Sequence, residues 1–125
     1  MEPVDIKATL SSPAINFDTD NNTLHIRGES YPENSFDFYE PVISWLKTSL
    51  QELSEITLDI AITYMNSSST KCTLDIMDVL EEAHERGVKT CIIWRYDRDN
   101  PRSYEMAEDF REEVTFSFEI EVLDT

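Results

Sequence analysis

The sequence predicts a mixed α/β fold: an antiparallel hairpin at the N-terminal edge, a parallel centre, and helices packed mainly on one face of the sheet. Three observations carry this expectation. Short β-branched runs alternate with amphipathic stretches of helical period, the order of strand–helix–strand units. Residues 56–64, ITLDIAITY, and 89–96, KTCIIWRY, are rich in apolar and β-branched side chains, as strands inside a sheet must be. The run Asp18-Thr19-Asp20-Asn21-Asn22, all turn-favouring residues, separates two short strand patterns at 14–17 and 23–27.

The elements follow in chain order. Residues 6–10 are a weak strand candidate, followed by the hairpin. A loop over 28–34 leads to a first helix, in which Phe36, Phe38, Tyr39, Val42, Ile43, Leu46 and Leu50 recur at helical spacing beside Trp45. Pro41 is expected to mark where that helix becomes regular, because proline fits only early helical turns. A second helix spans about 68–86, with Cys72, Ile76, Val79, Leu80 and Ala83 on its apolar stripe. Gly87 follows as the residue that ends it in the left-handed region. A third helix over 104–113 and a last strand over 115–123 complete the pattern, with right-handed crossovers between the parallel strands.

Composition limits what such a fold can do. The 125 residues, 40% of them hydrophobic, fit one domain over 1–125 with a single core. No run approaches the ~20 apolar residues of a membrane span. The opening MEPVDIKATL lacks a basic segment before an apolar one, so no secretory signal is read and a cytoplasmic location is expected. Ten Lys+Arg against 26 Asp+Glu give a formal charge of −16. Such a chain repels phosphate backbones and anionic lipid, which argues against nucleic acid and membrane partners. The same acidity also serves as a plain solubility device. Cys72 and Cys91 read as two buried thiols in a reducing compartment. His25 and His84 stand far apart, so no metal site and no cofactor are expected.

The segment Asn66-Ser67-Ser68-Ser69-Thr70-Lys71 lies between a strand end and a helix start. One reading makes Asn66 or Ser67 an N-cap for the unpaired first-turn N–H groups. The other uses the same physics: a phosphate on a serine here sits at the positive end of the helix dipole and accepts those N–H groups. Four consecutive hydroxyls exceed what capping needs. Ser67 and Ser68 both fall in the first turn, and spacing alone does not choose between them.

The strand–loop–helix TYMNSSST resembles that of STAS-type domains, in which a serine after Asp or Asn is a regulated phosphosite. The blocks GESYPENSFDFYEPVISWL, ITYMNSSSTK, DVLEEAHERG and WRYDRDNPRSYEMAEDF together resemble the SiaC family of bacterial regulatory phosphoproteins, across most of residues 28–110. The resemblance implies a STAS-like (anti-sigma-factor-antagonist-like) fold and a partner-switching role without catalysis. In that family a Ser/Thr protein kinase modifies the hydroxyl right after the Asn, and a PP2C-type phosphatase reverses it. The unmodified form binds a diguanylate cyclase and raises cyclic di-GMP, promoting aggregation and biofilm. The matching position is Ser67, where the best-known family member carries threonine; Ser68 is the second choice.

The expected partner surface comprises Tyr31, Pro32, Glu33 and Asn34, then Asn66, Ser68, Ser69, Thr70 and Lys71, then Arg95, Asp97, Arg98 and Asp99. Tyrosine is a frequent interface anchor, and strand ends of open sheets are where partners dock. A plainer reading of Arg95, Arg98 and Arg102 against Asp97, Asp99 and Asn100 is a self-satisfied salt-bridge cluster in one loop. No G-x-S-x-G elbow and no Gly-rich phosphate loop is present. Two other readings stand beside the switch: a scaffold of the same fold that is never phosphorylated, and a small acid/base enzyme built on Asp97 and Asp99.

Overall fold

The computed structural model describes residues 3–123. The chain order is β1 (Asp5–Ile6), β2 (Ala14–Asp18), β3 (Thr23–Ser30), α1 (Ser35–Ser49), β4 (Glu55–Met65), α2 (Ser67–Glu85), β5 (Lys89–Tyr96), α3 (Pro101–Arg111) and β6 (Ser117–Val122). One six-stranded sheet runs in the spatial order β1-β2-β3-β4-β5-β6. The first three strands are antiparallel, and β3 to β6 are mutually parallel.

That order fixes where the helices go. Each crossover from β3 onward moves to the next strand in the same direction, and right-handed crossovers then place every helix on the same side of the sheet. The strands record this as alternation. Ile15, Phe17, Leu24, Ile26, Ile56, Leu58, Ile60, Ile62, Ile92 and Trp94 are buried at every second position, on the helix-covered face. Tyr39, Val42 and Leu46 of α1 and Cys72, Ile76, Leu80 and Ala83 of α2 meet them. Each fully buried Leu or Ile side chain contributes roughly 1.5–3 kcal/mol. Trp94 anchors the α3 side, its ring 4.7 Å from Phe110 and 6.2 Å from Phe118 in near-parallel stacks.

Several boundaries differ from expectation for identifiable reasons. The hairpin turn is built by Asp18, whose carboxylate accepts from Asp20 N (2.9 Å) and Asn21 Nδ2 (2.8 Å), while Asn22 takes φ 50°. β3 runs on through Gly28 to Ser30, where a loop was expected, because β4 continues to pair with it. A register shift between Gly28 and Glu29 leaves Thr63 of β4 as the extra residue. Gly28 has φ +129°, and an added Cβ would meet Pro13 Cα at 3.3 Å. The bulge also takes Tyr64 out of step: it pairs with Glu29 instead of following Ile62 inward, and is 54% exposed.

Helix α1 starts at Ser35, ahead of Pro41, which lies inside it on the exposed side. The Asp37 carbonyl that proline leaves without a partner belongs to an exposed residue, so water can satisfy it. Phe36, expected on the core stripe, is 55% exposed on its flank. α3 begins at Pro101, earlier than expected, because Asn100 caps it and proline suits the first helical position. Gly87 closes α2 with φ +97°. Cys72 is buried, and burial pushes its thiol up. Cys91 is only half-buried, since its strand position faces away from the helices. Among the described residues, no helix is long and apolar enough to cross a membrane.

The helix-free face is made polar around one acid. Asp59, 5% exposed, accepts from Arg95 Nε (2.9 Å) and Nη2 (3.2 Å), with Arg27 Nη2 at 3.3 Å and His25 Nδ1 at 3.6 Å. Arg95 Nη1 also lies 3.5 Å from Glu121. Removing the acid leaves two guanidiniums facing each other across the sheet, although both reach water. Asp59→Ala is therefore expected to cost roughly 1.5–3 kcal/mol in urea denaturation, the range for charged hydrogen bonds; a cost below about 0.5 kcal/mol would show that the cluster is ornamental.

Candidate functional site

The C-terminal ends of β3, β4 and β5 each pass into a helix through an asparagine. Asn34 accepts from Asp37 N, Asn66 from Ser69 N and Asn100 from Arg102 N, so three capped helix starts gather along one edge of the sheet. Asn66 does more than cap. Its N–H donates to the Ser30 carbonyl (3.0 Å), and its carbonyl accepts from Thr70 N (3.0 Å). The end of β4, the end of β3 and the first turn of α2 are thus tied at one residue.

With Asn66 as the cap, Ser67 is the first helical residue and is released from capping. Its side chain is exposed, and its hydroxyl has no hydrogen-bond partner among the described residues. Its neighbours are all engaged. Ser68 Oγ donates to Ser35 Oγ (2.9 Å) and lies 3.3 Å from Asn66 Oδ1. Ser69 is fully buried and holds Ser30 Oγ at 2.8 Å and Ser35 Oγ at 3.1 Å. Thr70 Oγ1 donates to the Asn66 carbonyl (3.1 Å). Lys71 pairs outward with Asp75 at 2.9 Å, which raises its pKa.

Beneath these residues runs a buried chain of hydroxyls. Tyr39 OH lies 2.6 Å from Ser30 Oγ, which donates to Ser69 Oγ; Ser35 then links Ser69 to Ser68 and stands 3.5 Å from Asn66 Oδ1. Each hydroxyl carries one proton and two acceptor lone pairs, so a single direction from Tyr39 towards Asn66 satisfies every member. Burial pushes the Tyr39 phenol up to about 12. Ser30, Ser35 and Tyr39 were not among the expected site residues. Their partners lie 9 to 39 positions away, and no local spacing announces such contacts.

The other expected residues separate into two groups. Tyr31 is 40% exposed and meets the Tyr64 ring edge-on at 5.8 Å, which brings the loop with half-buried Pro32, exposed Glu33 and the cap Asn34 to the strand end before Ser67. Asn100 and Arg102 share a depression of about 190 Å³ with Thr63, Tyr64 and Met65, so the start of α3 lies beside the same strand end. Arg102 also lines a groove of about 460 Å³ with Thr70 and Leu74. The expected salt-bridge cluster in that loop does not form. Asp97 is used in the turn, its carboxylate accepting from Asp99 N (3.0 Å) and its own N–H donating to Ser103 Oγ (3.1 Å). Arg98 and Asp99 are exposed, and among the described residues neither Arg98 nor Arg102 forms an ion pair. Arg95 belongs to the helix-free face, where strand alternation sends it to Asp59.

Two consequences are measurable. A carboxylate at the first helical position meets the positive end of α2, whose first turn holds no acid, so Ser67→Asp is expected to change stability by less than about 1 kcal/mol. The raised pKa of Tyr39 gives stability that is present below pH 10, where the unfolded phenol begins to ionise, and is lost as pH rises towards about 12. Tyr39→Phe is expected to cost about 1 kcal/mol at neutral pH and to flatten this alkaline loss in denaturant titrations. An unchanged alkaline limb would mean that Tyr39 does not control it.

The family model for the SiaC family regulatory phosphoprotein matches residues 6–123. An uncharacterized protein of Pseudomonas aeruginosa strain UCBPP-PA14 is 42% identical over 125 residues, covering 99% of both chains. The crystal structure of apo-SiaC from Pseudomonas aeruginosa is similar with TM-score 0.91 and 41% identity, covering 97% of this chain and 99% of that one. A chain in the crystal structure of diguanylate cyclase SiaD in complex with its activator SiaC, from the same organism, matches with TM-score 0.91 and 41% identity, covering 96% of this chain and 99% of that one. This chain belongs to the SiaC family of regulatory phosphoproteins.

Proposed function

We propose that this protein is a partner switch governed by one phosphate on Ser67. A Ser/Thr protein kinase adds the group and a PP2C-type phosphatase removes it. The unmodified form binds and activates a diguanylate cyclase, as the SiaC relative is named the activator of SiaD. The observation that carries the reading is the contrast within one helical turn: of four consecutive hydroxyls, Ser67 alone is both exposed and free of hydrogen bonds among the described residues.

The mechanism is local. Phosphate adds roughly −1.5 to −2 charges to a chain already at −16, so the long-range field changes little. At the α2 start, however, the dianion is held by first-turn N–H groups and the helix dipole. A partner surface packed against that turn must then strip water from a bulky dianion without supplying a counter-charge. The exposed aromatics Tyr31 and Tyr64 meet at the strand end before Ser67, and Phe36 is exposed in the first turn of α1. They suit a docking surface whose centre must stay uncharged.

Ser67→Asp and Ser67→Glu are expected to weaken cyclase binding at least about tenfold, or 1.4 kcal/mol, while Ser67→Ala binds like wild type. The loss is expected to persist at high salt, since burial and steric conflict are screened less than long-range repulsion. Calorimetry of the variants and of the phosphorylated protein at two salt concentrations tests this. Full binding by the phosphorylated protein, or its recovery in salt, would overturn the local block.

A further inference from the structure

We propose that Ser35, at the start of α1, determines which hydroxyl of α2 accepts the phosphate. The inference rests on the reading that the first turn of α2 is phosphorylated, and it concerns the choice between adjacent serines. Ser67 and Ser68 have the same chemistry, are neighbours in sequence and share one helical turn. A kinase that reaches one reaches close to the other, so something in this chain must distinguish them.

The distinction lies in hydrogen bonding. Phosphoryl transfer needs the serine oxygen to attack the γ-phosphorus of ATP in line. The Oγ–P bond forms, the bond from that phosphorus to the bridging oxygen of ADP breaks, and the hydroxyl proton passes to a base on the kinase. Ser67 presents a hydroxyl with no hydrogen-bond partner to lose among the described residues. Ser68 is half-buried, and its hydroxyl donates to Ser35 Oγ at 2.9 Å, the nearer of two acceptors, with Asn66 Oδ1 at 3.3 Å; its oxygen is thus held towards α1.

Ser35 is built for this task. It is 1% exposed, so its hydroxyl cannot swing to water. In the direction that satisfies the whole chain it accepts from both Ser68 and Ser69 and donates towards Asn66 Oδ1 at 3.5 Å. Ser69 needs no such restraint, because burial alone withholds it. Thr70 is held separately by the Asn66 carbonyl. Ser35 is thus a positioning residue for the modification, 33 positions from the hydroxyl it restrains. Its removal leaves the Ser68 proton without its nearest acceptor, and that side chain is close enough to the surface to rotate outward.

The test uses the full chain with its cognate Ser/Thr kinase and ATP, read by site-resolved tandem mass spectrometry. Wild type is expected to carry phosphate on Ser67 alone, and Ser67→Ala to accept almost none. The double variant Ser35→Ala with Ser67→Ala is expected to be modified on Ser68, at least about tenfold faster than Ser67→Ala. Ser35→Cys in the Ser67→Ala background keeps the side-chain size with a weak acceptor, and is expected to fall between them. Circular dichroism and urea denaturation establish that each variant is folded. If Ser67→Ala alone is rapidly modified on Ser68, or if the folded Ser35 variants leave Ser68 as inert as before, the role of Ser35 is overturned while the switch stands. If wild type takes no phosphate in this turn, the functional reading itself fails.

Discussion

The right-handed crossover is the constraint from which the rest of this molecule follows. Because β3, β4, β5 and β6 lie side by side in chain order, each turn of that one-handed path lays its helix on the same side. One face of the sheet is consequently covered and apolar, the other open and polar. The strand ends with their asparagine caps are likewise gathered on a single edge. The first turn of α2 does not need a specialised fold; it occupies a place where any fold of this winding exposes helix starts. What is particular here is that Asn66 takes the capping role entirely, so the next residue carries no structural duty.

Electrostatics sharpen that place. The chain has 26 acidic residues, yet none stands in the first turn of α2, whereas α1 has Asp37 in the equivalent stretch. Acids near helix starts usually contribute a few tenths of a kcal/mol to 1 kcal/mol, so their absence from α2 leaves a favourable interaction unused. The positive end of this helix is bounded by hydroxyls instead. On the opposite face the reverse holds: Asp59 is nearly enclosed, and its charge is met by two arginines.

The parts of this architecture governed by local chemistry were legible in the sequence. β5 was expected at 89–96 and found there, because β-branched and aromatic density over eight residues has no other good home. Gly87 and the turn at Asp18–Asn22 declared themselves through residues with distinct backbone preferences. Pro41 misled, because proline states only what its own backbone lacks, and the exposed side of α1 tolerates that lack. Arg95 misled for another reason: its charge suggested the neighbouring loop acids, while strand alternation turned it to the far face. The hydroxyl chain could not be anticipated at all, since Ser30, Ser35 and Ser69 meet only when three crossing elements pack.

The helix that carries Ser67 is complete without any modification: capped by Asn66, anchored by a buried serine and followed by a well-packed stripe. No segment has to order or melt for the surface to change its meaning. In the proposed switch, information is written as a chemical mark on a helix that is already folded and capped. The response time of such a device is set outside the fold, by enzyme turnover and by how quickly a bound partner leaves. In the proposed switch, a partner that covers this turn also shelters it, so the occupied fraction resists rewriting and the free pool responds first.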